Sequence, residues 1–90
     1  LGAELITCPD VHSNHDDHYR NRARTIAEER GGVFLNQYQN QLNPKVHEKW
    51  TGPELWNQTD RLTHVVCPMG TGGTLSGIGK YIKDSEGPCP

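Results

Sequence analysis

The sequence predicts an α/β fold, a three-layer fragment with helices packed on a parallel sheet. Two observations carry that expectation. Short apolar runs rich in β-prone residues alternate with longer segments of helical period, in the order strand, helix, strand, helix, strand, helix. A glycine-rich turn also stands directly between the third apolar run and the last helical segment, the usual position of a strand-to-helix connection in such sheets. Right-handed crossovers would join strands arranged this way.

Taken in order, Leu5, Ile6, Thr7 and Cys8 read as a buried strand ended by Pro9 and Asp10. Residues 11–18 form a polar loop. Asp16 or Asp17 can cap a helix from about His18 to Arg30, closed by Gly31 where a left-handed residue is needed. Its apolar stripe is Tyr19, Ala23, Ile26 and Ala27. Val33, Phe34 and Leu35 form a second strand. Residues 36–43 hold three Asn and three Gln, a composition suited to a structured loop at a strand's end. A helical pattern runs from Pro44 through Val46, His47 and Trp50. It restarts at Thr51 as N-cap, with Pro53 in the first turn and Glu54 three residues after the cap. Residues 63–67 are a third strand, 70–74 a glycine loop, and a final helix covers about 73–83 before a frayed end at 84–90.

Composition narrows the function classes. Apolar residues make up 32% of the 90, a lean supply for a core of this length, and the formal charge is −2. The lean core and a start at Leu1 without Met suggest a piece of a larger protein. Nine basic against eleven acidic residues exclude a strong electrostatic claim on nucleic acid or an anionic membrane. No apolar run approaches the length of a membrane span, and no signal-peptide pattern opens the chain, so a cytoplasmic location is expected. Cys8, Cys67 and Cys89 are odd in number and widely spaced, which indicates neither a disulfide framework nor a zinc site.

Three constellations can carry chemistry. Gly70, Thr71, Gly72, Gly73 and Thr74 lead into a helix, so backbone amides, hydroxyls and the helix dipole converge on one point, an arrangement suited to phosphate. The spacing is neither the dinucleotide fingerprint nor the Walker loop, and no lysine lies within it. The amides of residues 36–43, Gln37 among them, can donate to a carboxylate without adding charge. His12, His15 and His18 beside Asp16 and Asp17 are metal-ligand types. They lie in a polar loop without a partner cluster, and no metal site is expected. His47 and His64 read as isolated histidines. No nucleophile–base pair can be assembled.

Four motifs stand in an order that resembles the pyridoxal-phosphate β-replacement enzymes, the cysteine synthases and cystathionine β-synthases. Leu1-Gly2-Ala3-Glu4-Leu5-Ile6 is the first. Gln37-Tyr38-Gln39-Asn40-Gln41-Leu42-Asn43-Pro44, followed by His47, resembles their Q-[FY]-x-N-P-x-N-P-x-x-H block. Thr51-Gly52-Pro53-Glu54-Leu55-Trp56 with Gln58 and Thr59 is similar to their T-G-P-E-[IL]-W-x-Q-T helix. Gly70 to Thr74, followed by Ser76 to Lys83, matches their phosphate loop and its helix. The sequence departs from the pattern at Gln41, usually Pro, at Leu42, usually small, and at Pro68, usually Gly. Tyr38 in place of Phe and the segment 11–19 lean toward the cystathionine β-synthase-like members.

The resemblance implies a tryptophan-synthase-β-like, fold type II architecture, with residues 1–43 the later part of a mobile N-terminal subdomain. Residues 44–62 would be connecting helices, and 63–90 the start of the larger cofactor-binding subdomain. Gly70, Thr71, Gly72, Gly73 and Thr74 would hold the 5′-phosphate of pyridoxal phosphate, and Gln37 the substrate α-carboxylate. The implied reaction makes cysteine from O-acetylserine, or a related activated serine, and sulfide. The alternatives are a cystathionine β-synthase-like condensation of serine with homocysteine and, outside catalysis, a phosphate-binding α/β module. Synthases forming diaminopropionate or ureidoserine, and the serine or threonine dehydratases, are more distant possibilities. The parent would be a homodimer acting on a small amino-acid substrate. The Schiff-base lysine would lie upstream of Leu1, and Lys45, Lys49, Lys80 and Lys83 do not occupy its place. The 90 residues alone are expected to be inactive, and to aggregate or remain partly disordered.

Overall fold

A computed structural model describes residues 1–86, in two compact units, Leu1–Asn36 and a second beginning at Gln37. The first contains one helix, α1 (Tyr19–Arg30). The second contains α2 (Leu42–Val46), a π-helical turn (His47–Thr51), α3 (Gly52–Gln58) and α4 (Gly73–Glu86).

Among the described residues there is no strand, which corrects the expected parallel-sheet, three-layer architecture. Residues 5–8 and 33–35 do not pair within the first unit, and 63–67 find no partner run in the second. A strand exists only through the ladder bonds a neighbour supplies, and β propensity cannot replace that neighbour. Apolar side chains of all three runs therefore stand in solvent: Leu5 is 88% exposed, Val33 83% and Val66 97%.

The first unit is held by local devices. His18, not Asp16 or Asp17, caps α1: its Nδ1 accepts from the Arg20 amide at 3.3 Å. The cap must immediately precede the first turn, and His18 holds that position. Gly31 closes the helix at φ +65°, with its N–H on the Glu28 carbonyl at 3.4 Å and the Gly32 N–H on the Ala27 carbonyl at 2.8 Å. This is the double-bonded stop that a residue without Cβ adopts without strain. Arg30 in the last turn reaches Glu4 at 2.6 Å. That guanidinium, through a hydrogen bond and then its charge, holds the Glu4 carboxyl below its ordinary value of 4.5. No residue of α1 is buried, so the stripe of Tyr19, Ala23, Ile26 and Ala27 is not a packed face here.

In the second unit α3 begins at Gly52, with Thr51 in the N-cap position and Pro53 in its first turn, but the chain reaches it without leaving helical geometry. Thr51 is helical at φ −64°, ψ −42° and makes no side-chain cap, because its hydroxyl is on His47 Nδ1 at 2.9 Å. The helix widens instead: the Gly52 N–H bonds the His47 carbonyl five residues back. Pro53 explains the change of register, since it has no N–H to give and its ring excludes the carbonyl four residues before it. Residues 84–86, expected to fray, continue α4. Residues 87–90 and Cys89 lie outside the described residues, and Cys8 and Cys67 are free thiols.

α4 packs along α2, the π turn and α3. The buried positions all lie on this seam: Gly52, Gly73, Gly77 and Ile78, the last 5% exposed. Gly77 admits the backbone of Pro44 and Glu48, and Gly52 admits the ring of Tyr81. Backbones that approach this closely leave little room for a larger apolar core. The seam's main product is the placement of the α4 N-terminus against the residues before α2.

Candidate functional site

The glycine loop ends where α4 begins. Gly72 takes φ +83°, a turn that L side chains rarely allow, and its carbonyl accepts the Ser76 amide at 2.9 Å as the first bond of the helix. The amides of Gly73, Thr74 and Leu75 consequently have no acceptor within the helix. Gly73 donates to Thr71 Oγ1 at 3.2 Å. The Thr74 and Leu75 amides are left at the positive end of a 14-residue helix dipole. A Cβ on Gly70 would meet nothing within 4 Å, so the loop's outer side is open.

Two side chains from the other half of the unit converge on this loop. Asn43, in the first turn of α2, donates through Nδ2 to Thr71 Oγ1 at 2.9 Å and to the Gln37 carbonyl at 3.0 Å. Its Oδ1 lies where a Cβ of Gly73 would stand. His47 spans two hydroxyls, with Nδ1 2.9 Å from Thr51 Oγ1 and Nε2 3.3 Å from Thr74 Oγ1. Which ring nitrogen carries the proton follows from how the two hydroxyls turn.

A cleft of about 430 Å³ opens between the amide block and the loop, lined by Gln37, Asn40, Asn43, Thr71, Gly72 and Gly73. Gln37 and three of the five loop positions named from sequence therefore face one space, while Gly70 and Thr74 do not line it. Lys45 and Lys80 also line it. Lys80 Nζ donates to Asp84 and to Glu48, both at 2.7 Å, and these bonds hold its ammonium charged well above the usual lysine range. An amine so paired is not a nucleophile near neutrality. The arrangement can bind an anion at a helix N-terminus with neutral amides alongside it.

From the sequence alone Asn43 is one amide among several and His47 is isolated. Their partners lie 28 and 27 positions away, a separation with no periodic signature. The Pro after Asn43, which opens the helical pattern, was the one available cue to a fixed geometry there. The histidines of the first unit are engaged locally. His12 Nδ1 pairs with Asn14 Oδ1 at 3.0 Å, His15 Nδ1 accepts the Asp17 amide at 3.0 Å, and His18 caps α1. No group of three or more metal-ligating side chains occurs among the described residues. No helix there is long and apolar enough to cross a membrane.

Comparison with known proteins gives a consistent picture. The family model "Pyridoxal-phosphate dependent enzyme" matches residues 1–90. Cysteine synthase 1 of Emericella nidulans is 42% identical over 97% of this chain and 24% of its own length. Cysteine synthase B of Salmonella typhimurium is 41% identical over 97% of the chain and 28% of its own length. Cysteine synthase A of Escherichia coli is 48% identical over 61% of the chain and 17% of its own length. The chain thus spans 17–28% of the length of these relatives. No solved structure matches it at a significant level. With a family model covering every residue, the chain belongs to the pyridoxal-phosphate-dependent enzyme family.

Proposed function

We propose that this chain is the part of a cysteine synthase that grips the cofactor phosphate and presents an amide to the amino-acid substrate. The intact protein would make cysteine from O-acetylserine, or a related activated serine, and sulfide. The carrying observation is the cleft shared by Gln37 and the loop that opens α4. The loop's chemistry suits a phosphate: unspent helix amides, an unobstructed outer side at Gly70 and the left-handed turn at Gly72. Gly70, Thr71, Gly72, Gly73 and Thr74 would hold the 5′-phosphate through neutral donors, and Gln37 would donate to the substrate carboxylate. When bound, pyridoxal phosphate supplies the electron sink that lets an amino acid exchange the substituent on its β-carbon. This chain's residues bind and orient; the anchoring lysine is assigned to another part of the intact protein, in keeping with the pairing of Lys80 to two carboxylates.

Within that reading, residues 1–43 belong to a mobile subdomain, 44–62 connect, and 63–90 open the cofactor-binding subdomain of a homodimer. The test is to load the intact protein with pyridoxal phosphate and supply O-acetylserine and sulfide. Cysteine formation is the expected result. Cystathionine from serine and homocysteine, without cysteine formation, would reassign the nucleophile. Failure to take up pyridoxal phosphate would leave a phosphate-binding module without this chemistry.

A further inference from the structure

We propose that Asn43 is the positioning residue that joins the two halves of this site, aiming the Thr71 hydroxyl proton at the phosphate while fixing the backbone of Gln37. The inference rests on the function proposed above and deepens it. A primary amide has two N–H donors, and Asn43 spends them on different segments: Thr71 Oγ1 at 2.9 Å and the Gln37 carbonyl at 3.0 Å. Thr71 Oγ1 also accepts the Gly73 amide at 3.2 Å. A hydroxyl oxygen has two lone pairs and one proton, so with both lone pairs engaged Thr71 can only donate. Its remaining partner must be an acceptor, and an anion at the N-terminus of α4 is the acceptor the helix dipole favours.

The seat for this amide is built. Gly73 is buried and has no side chain, and a Cβ there would overlap Asn43 Oδ1. On the other side the Asn43 backbone N–H donates to the Asn40 carbonyl at 3.0 Å and the Leu42 backbone N–H donates to Asn40 Oδ1 at 3.0 Å, so the residue is fixed from both directions. Losing Asn43 would free the Thr71 hydroxyl to turn and release the loop carrying Gln37. Phosphate binding and presentation of the substrate amide are therefore coupled through one side chain.

The experiment uses the intact protein, stripped of cofactor and titrated with pyridoxal phosphate, comparing wild type, Asn43→Ala, Thr71→Val and the double variant. Cofactor Kd is read by fluorescence, and the environment of the bound phosphate by its ³¹P shift. Each single variant should weaken Kd by about 10- to 100-fold, the effect of one hydrogen bond to a charged group. The double variant should be no weaker than Thr71→Val alone, because Asn43 acts through that hydroxyl. Asn43→Ala should also move the ³¹P shift and raise the KM for the amino-acid substrate more than it lowers kcat. Asn43→Asp keeps the shape but accepts where the amide donated. It should weaken Kd at least as much, and it decides the matter if Asn43→Ala loses its helical circular-dichroism signal. Wild-type Kd in a folded Asn43→Ala, or losses that add in the double variant, would overturn the coupling while leaving cofactor binding intact. A wild-type protein that takes up no pyridoxal phosphate would overturn both readings.

Discussion

Replacing Gly77 with alanine is expected to destabilise the second unit, whereas the same change two residues on, at Gly79, is expected to stabilise it. A Cβ on Gly77 would stand 2.6 Å from His47 Cβ and 2.8 Å from the Glu48 amide nitrogen, with the Pro44 carbonyl also in the way. Ordinary contact begins near 3.4 Å, so α4 must retreat by about 1 Å to clear the Pro44 oxygen, the nearest of the three. None of the obstructing atoms can rotate aside, since two are backbone and one is a Cβ. Overpacking of this kind costs about 1–3 kcal/mol. The better helix propensity of alanine returns about 1 kcal/mol. The net loss is therefore up to about 2 kcal/mol. At Gly79 a Cβ meets nothing within 4 Å, and the gain of about 0.5–1 kcal/mol stands alone. The retreat of α4 would also stretch the contact of His47 Nε2 with Thr74 Oγ1, already 3.3 Å, past hydrogen-bonding range. Urea unfolding of the intact protein measures the stability difference at constant m, and a pyridoxal-phosphate titration reads the loop. A Gly77→Ala protein stabilised as much as Gly79→Ala, or a Gly79→Ala protein destabilised as much as Gly77→Ala, would refute the account of α4 packing.

Two further outcomes concern the first unit. Gly31→Ala places a Cβ at φ +65° and should cost about 1 kcal/mol, seen as faster amide exchange in the last turn of α1. Glu4→Gln should remove the ion pair with Arg30, and the sign with pH follows from the lowered Glu4 pKa. The pair's contribution is present above 4.5 and is lost as pH falls through the folded-state value, so wild type and variant should differ near neutrality and converge in acid. Both partners are more than half exposed, so the difference should be small and should shrink with added salt. A difference that grows in acid would show that the pair is not its source.

Local chemistry was legible in the sequence wherever a few adjacent residues decide the outcome. Gly31 stops α1 because a left-handed residue must follow the last turn, and the glycine loop starts α4 at Gly73 as its composition requires. The cap of α1 was misplaced by one or two positions because Asp16, Asp17 and His18 can all accept a bond, and only the backbone path selects among them. Thr51 had the composition of a cap, yet the widened turn before Pro53 kept it helical and turned its hydroxyl to His47. The apolar runs at 5–8, 33–35 and 63–67 had the composition of strands, but composition supplies no partner.

By itself, then, the sequence determined the family, the stop of α1 at Gly31 and the start of α4 at Gly73. The two helix signals depend on residues that act within one turn of where they are written. Tertiary structure alone decided that the apolar runs remain unpaired, that Asn43 bridges Gln37 and Thr71, and that His47 reaches Thr74. The Asn43 and His47 bridges depend on α4 lying close along α2 and the π turn. That approach is made by Gly73 and Gly77 having no side chain at the seam, a condition met only when segments nearly thirty residues apart are brought together.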